Sequence, residues 1–294
     1  MADYKFPRSF GRFFDDAAVF PPGLATLEVA IRDHIVRKDS VLGPAIGPLV
    51  LPLRDLPTAR TILADTGYKG GPVEVSVVTP AGHLEEILRD ADSVTSLMKI
   101  VAVELKTHLL QADWKQELLD ARATAGECHM YVELTADQIT GDALRLIKEA
   151  GARLKYRTGG IEADLFPTPE QLAFVVGAAA EYDVPFKLTA GLHRAARYTD
   201  QKTGFTHHGF LNIAVATALA REGRGSALVI KALCETQPMV LADMYAGLDA
   251  AWRRSFTSFG TCSITEPLQS LEDMEILPSG ASAIAASLEK ANQL

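Results

Sequence analysis

Lys155 and Lys187 occupy matching places in two neighbouring strand-like segments, Ala-Arg-Leu-Lys-Tyr-Arg-Thr-Gly-Gly (152–160) and Val-Pro-Phe-Lys-Leu-Thr-Ala-Gly-Leu-His (184–193). Each lies inside a short run that ends in Thr and Gly, where a cation is costly unless it is used or paired. Two ammonium groups brought close together repel, and the repulsion lowers the pKa of one of them. An amine so depressed is a nucleophile at neutral pH, suited to Schiff-base chemistry. Period-two alternation puts Arg157 on the face of Lys155 and Thr189 on the face of Lys187. Glu133 and Glu104, near the ends of two earlier runs, are the expected proton carriers. A buried lysine–carboxylate network that only closes an interior is the structural alternative.

The Gly-rich ends carry a second expectation. Thr158, Gly159 and Gly160, then Gly191, then Gly260-Thr261-Cys262-Ser263 can turn backbone N–H groups toward an anion, with hydroxyls from Thr261 and Ser263. Tight turns account for such glycines about as often. The histidines give a rival reading: His193, His207 and His208, with Glu133 or Asp15, have the ligand types that suit Zn, Mn or Fe. No His-x-His or His-Glu-x-x-His spacing is present, so no metal is expected. His193 and His208 are then pocket-lining hydrogen-bond donors. Cys262 counts as lining too, since no signature pairs it with a base. His34, His83, His108 and His129 receive no role. Asp15-Asp16 precedes the first expected strand and reads equally well as a solvated turn.

Short Val- and Leu-rich runs at 17–20, 48–53, 73–78, 99–105, 128–134, 154–157, 184–189 and 256–260 have the composition of strands buried on both sides. Helical patterns at 24–37, 56–65, 82–90, 111–125, 141–150, 169–182, 209–221 and 240–252 separate or follow them. Thr168-Pro169-Glu170-Gln171 signals a helix start, and Gly151 a helix end. Eight alternations predict an α/β protein, a (β/α)8 TIM barrel of the aldolase type formed by 1–294 as one domain. An open doubly wound sheet is the alternative, but Pro21-Pro22-Gly23 after the first strand is no phosphate-binding fingerprint. Residues 194–254 exceed one loop and one helix. They predict an insertion between strands seven and eight, with an extra helix near 226–234, serving as a lid or dimer element of a homo-oligomer.

A net charge of −8 argues against nucleic acid or anionic membrane as partner, and no apolar run approaches the roughly 20 residues of a membrane span. The N-terminus lacks the apolar stretch of a signal peptide. Three widely spaced cysteines make no disulfide framework and fit a cytoplasmic protein.

Around Lys155 and Lys187 the chain resembles the class I aldolases of the deoxyribose-phosphate aldolase type. Their motifs are Lys-x-x-Thr-Gly on strand six, matched by Lys155–Gly159, and a lysine before a Gly turn on strand seven, matched by Lys187–Gly191. A Phe-Gly-small-Ser turn that binds phosphate in that family is similar to Phe259-Gly260-Thr261-Cys262-Ser263. The resemblance covers about 151–191 and the eighth strand. It implies a barrel, a Schiff base on Lys155 and Lys187 as its pKa partner, with no cofactor. Arg157 departs from the family's small hydroxyl residue, and the family's acid on an earlier strand is replaced by Glu104 or Glu133. These departures point away from deoxyribose phosphate itself. The motifs with His-His-Gly-Phe-Leu-Asn (207–212) also look like a bacterial family without a known reaction. The expected activity is therefore a lyase or aldolase acting on a small carbonyl substrate that carries phosphate or carboxylate. A metal-dependent hydrolase or isomerase and a non-catalytic metabolite-binding barrel are the rivals.

Overall fold

Eight runs form parallel strands: β1 (Phe14–Asp16), β2 (Ile46–Pro52), β3 (Val73–Pro80), β4 (Met98–Lys106), β5 (His129–Glu133), β6 (Arg153–Arg157), β7 (Phe186–Thr189) and β8 (Phe256–Thr261). They close into a barrel in the order β1-β8-β7-β6-β5-β4-β3-β2, as the alternating pattern predicts for a (β/α)8 fold. The structure, a computed structural model, describes residues 6–92, 97–107 and 113–291. His108 and the first residues of the helix expected at 111–125 lie outside them.

The helices are α1 (Leu27–Lys38), α2 (Leu56–Asp65), α3 (Leu84–Asp92), α4 (Trp114–Ala121), α5 (Gly141–Glu149), α6 (Pro169–Glu181), α7 (Phe210–Arg221), α8 (Ser226–Cys234), α9 (Pro238–Ala246), α10 (Thr265–Asp273) and α11 (Ala281–Ala291). Local chemistry sets several ends. At α6 the Thr168 hydroxyl accepts from the Gln171 N–H at 3.2 Å, and Gln171 Oε1 accepts from the Thr168 N–H at 2.8 Å. Helix α5 ends at Gly151, whose φ of +59° suits glycine; Gly151 N–H donates to Lys148 O and Ala152 N–H to Ile147 O, both at 2.9 Å. No helix among the described residues is long and apolar enough to cross a membrane.

The layering explains where charge can sit. Outward-facing residues such as Leu49, Leu51, Val75 and Val77 pack under the helices in the main core, which also holds the rings of Phe13, Phe14, Phe210 and Phe259. The alternate residues face the barrel interior. Toward the strand C-termini of β2 and β3 these are apolar, Val50 and Val78 clustering with Ala17 and Phe20, while Asp15 of β1 and Ser76 of β3 join the polar interior. On β4 to β7 they are ionic.

Three expectations need correction. The first strand lies at Phe14–Asp16, ahead of 17–20. The run Ala-Ala-Val-Phe has strand composition, but pairing with β8 and β2 selects the preceding residues, and Ala17 and Phe20 line the interior beyond the strand end. The helix expected at 240–252 stops at Ala246, and a short 3-10 segment, Ala250–Arg254, follows, started by the Asp249 side chain accepting from Ala251 N–H. Finally, α10 and α11 follow β8 and were not anticipated. The insertion between β7 and β8 contains α8 where it was expected, and also a hairpin of Tyr198–Thr199 with Thr206–His207.

Candidate active site

Neighbouring strands carry inward charges at the same level, because Glu133 pairs in register with Lys155 and Lys155 with Lys187. The result is one continuous ion chain. Lys187 Nζ donates to Asp15 Oδ2 at 2.5 Å and to Glu104 Oε1 at 2.6 Å. Lys155 Nζ lies 2.7 Å from Glu104 Oε2 and 2.8 Å from Glu133 Oε2, and Arg157 Nε lies 3.6 Å from Glu133 Oε1. Ser76 donates to Glu104 at 2.6 Å and Ser258 to Asp15 at 2.8 Å. Three carboxylates thus balance two lysines and Arg157. The lysines and acids are each at most 3% exposed.

This chain overturns the expected sign of the lysine pKa. Burial alone would depress Lys155, but Glu104 and Glu133 outweigh it and hold the ammonium above its ordinary range. Burial likewise opposes the charge on Lys187, and Asp15 and Glu104 hold it well above the usual value. Mutual repulsion of the two lysines is present but loses to the carboxylates between them. Burial disfavours the charge on Glu104 and on Glu133, yet the lysines keep both below the normal carboxylate range. Burial pushes the Asp15 carboxyl up. Asp15, read as equally consistent with a solvated turn, is instead an interior residue.

Stability should follow pH accordingly. The contribution of Glu104 and Glu133 is full above their ordinary 4.5 and is lost as pH falls through their lower folded values. That of Lys155 and Lys187 is full below 10.5 and is lost as pH rises through their higher folded values. Asp15, with a raised pKa, costs stability near neutrality and offsets part of the acid loss. Urea unfolding across pH should show a plateau between about pH 5 and 10 that falls on both sides. Lys155→Met combined with Glu133→Leu should flatten both flanks; a profile that this pair leaves unchanged would refute the assignment.

The strand C-termini form the mouth, where barrel active sites are built. Lys106 ends β4 two residues after inward-facing Glu104 and pairs in register with Glu133. Among the described residues no carboxylate lies within ion-pair distance of its Nζ. Burial, with Lys155 and Arg157 nearby, lowers its pKa against the pull of Glu133 and Glu104. The depressed amine anticipated at Lys155 is therefore found at Lys106. Across the mouth, His193 Nδ1 lies 2.9 Å from Glu266 Oε2. Burial would lower this imidazole, but the adjoining Cys262 thiol and Glu266 raise it to about 9. Cys262 sits there because Gly23 leaves room: a Cβ on Gly23 would fall 2.9 Å from Cys262 Cβ and 2.8 Å from Ala18 O.

Other expected site residues serve the frame. The Thr158 hydroxyl donates to Ala190 O at 2.6 Å, tying β6 to β7. Gly159 and Gly191 let those two strand ends touch, since a Cβ on Gly159 would lie 2.7 Å from Gly191 Cα. Gly160 packs on Leu165 in the same way. Thr189 ends β7 opposite Gly260, and a Cβ on Gly260 would lie 3.5 Å from its Oγ1. The Thr261 hydroxyl donates to Ser263 O at 2.8 Å, and Ser263 Oγ accepts from Glu266 N–H at 3.3 Å at the start of α10. These hydroxyls are engaged locally. His208 is fully buried, donating from Nε2 to Pro167 O at 2.8 Å and accepting from Arg197 at Nδ1, and burial lowers it to about 4. His207 Nδ1 bonds Gly191 O at 2.8 Å. The three histidines thus take separate partners, and among the described residues no group of three His, Cys, Asp or Glu side chains is placed to hold a metal ion.

Sequence reasoning weighed Asp15 only as a metal ligand or a solvated turn, missed Ser76, Ser258 and Glu266, and passed over Lys106. Ser76 and Ser258 left a faint signal as single hydroxyls inside apolar strands. Glu266 left none, because it meets His193 only through the fold. The chain matches no protein-family model, and no curated protein matches it.

Proposed function

We propose that this protein is a lyase of the aldolase kind that cleaves or forms a C–C bond beside a carbonyl, through an imine on Lys106. The observation that carries the reading is an amine at the mouth without an ion-pair partner among the described residues, beside Lys155 and Arg157 and in register with Glu133. Lysines made nucleophilic by desolvation and a neighbouring cation suit this chemistry. The amine adds to the substrate carbonyl and, with loss of water, gives an iminium. A proton leaves the substrate's β-hydroxyl, the Cα–Cβ bond breaks to release a carbonyl fragment, and its electron pair moves into the iminium to give an enamine. The proton returns to the enamine carbon, and water hydrolyses the resulting iminium to the second product and the free amine. Glu133 is the proton acceptor: it is buried, pairs in register with Lys106, and its Oε2 lies 2.8 Å from Lys155 Nζ, to which a proton can pass on. Half-buried Arg157 and the imidazolium of His193 bind the substrate's carboxylate or phosphate. An anion on Arg157 takes that cation from Glu133, which raises the basicity of Glu133 as substrate arrives.

A second reading places the imine on Lys155, favoured by the two carboxylates at 2.7 and 2.8 Å that could take its proton. Borohydride reduction in the presence of small 2-oxo acids and phosphorylated aldehydes, followed by peptide mass mapping, separates the two. An adduct on Lys106 is the expected result. An adduct on Lys155 selects the second reading, and turnover without any adduct removes both.

A further inference from the structure

The barrel interior is also open at the end opposite the mouth. A cavity of about 810 Å³ lies at the N-terminal ends of the strands, within the size range of small-molecule sites. Five cations line it, Arg12, Lys99, Arg153, Lys187 and Arg253, against three carboxylates, Asp15, Glu74 and Glu127. This surplus stands out in a chain of net charge −8. Arg12 is paired with Glu74 at 2.7 Å and Lys187 with Asp15. Arg153 and Arg253 have only neutral partners among the described residues. Arg153 donates to Tyr131 Oη at 3.1 Å and lies 3.4 Å from His129 Nε2. Arg253 lies over Phe13 at 4.4 Å and donates to the carbonyls of Phe256, Thr257 and Gly11. A guanidinium carries five donor hydrogens, so each keeps capacity in reserve.

The N-terminal face of this fold ordinarily serves stability. Arg253 also ties Gly11 to the start of β8, yet it and Arg153 have no carboxylate partner among the described residues and stand in the wall of a preformed cavity. They match the forked oxygens of a dianion. We infer that this chamber binds a small dianion bearing phosphate or carboxylate, at a site separate from the mouth. Lys187 lines the chamber, so the bound anion meets the Asp15–Lys187 end of the ion chain.

Thermal unfolding with inorganic phosphate, at constant ionic strength held by chloride, tests this. The wild-type protein should show a saturable rise in Tm. Arg153→Gln should weaken the apparent affinity at least about tenfold, while its Tm without phosphate stays near the wild-type value. Lys99→Glu, at the exposed rim, should weaken it too and keeps the test decisive if Arg153→Gln folds poorly. Arg157→Gln, at the other end, should leave in place the part of the phosphate response that Arg153→Gln removes, whatever it does to anion binding at the mouth. The site is overturned if phosphate fails to stabilise the wild-type protein, or stabilises Arg153→Gln and Lys99→Glu equally well. Loss confined to Arg157→Gln also overturns it, since the anion is then at the mouth. None of these outcomes touches the imine reading, which is judged by the adduct.

Discussion

Glu104→Gln is expected to destabilise the protein by about 3–5 kcal/mol, the usual cost of removing one member of a buried ion pair. Glu104 holds both lysines, Lys187 at 2.6 Å and Lys155 at 2.7 Å, and accepts from Ser76 at 2.6 Å. The amide keeps the shape but leaves two ammonium groups with one carboxylate each and puts two N–H donors where one of the two acceptor oxygens was. Replacing a whole pair by apolar groups is far cheaper than breaking it. Lys187→Met with Asp15→Leu should therefore cost less than Lys187→Met alone, and a double-mutant cycle from urea unfolding measures the coupling. A Glu104→Gln loss under about 1 kcal/mol would show that the chain is solvated or loosely held.

Glu133→Gln is expected to lower kcat by roughly 10²–10⁴, the range for loss of a positioned general base. The substitution removes the proton acceptor but leaves the Lys106 amine in place. Two readouts then divide. Borohydride should still trap the imine on Lys106, while carbon–carbon cleavage slows. Lys106→Met should abolish both. If Glu133→Gln loses turnover only in proportion to its loss of folded protein, Glu133 belongs to the frame and the proton is carried elsewhere.

Much of the frame was legible before folding. The chain itself establishes eight apolar strand runs separated by helical patterns, and local signals such as Thr168 with Gln171 and the left-handed Gly151 mark element ends where the structure has them. These depend on nearest neighbours in the chain. The placement of Lys155 and Lys187 on adjacent strands six and seven follows from counting those runs. The choice of Phe14–Asp16 over the more strand-like residues after it does not, because β1 is held by ladders to distant partners.

The sign of the lysine chemistry was decided only in three dimensions. A buried amine's pKa depends on which charge lies nearest, and the charges nearest Lys187 are 172 and 83 residues away along the chain, at Asp15 and Glu104. From the sequence, two lysines on adjacent strands repel and one becomes a nucleophile. Barrel closure interposes Glu104 between them, keeps both charged, and leaves Lys106 as the depressed amine, at a strand end where burial, Lys155 and Arg157 outweigh Glu133 and Glu104. Residue types along the chain determined that an amine and carboxylates meet inside a barrel. The closing of β1 against β8, which brings the first strand's acid to the seventh strand's lysine, decided that Lys187 stays paired and charged.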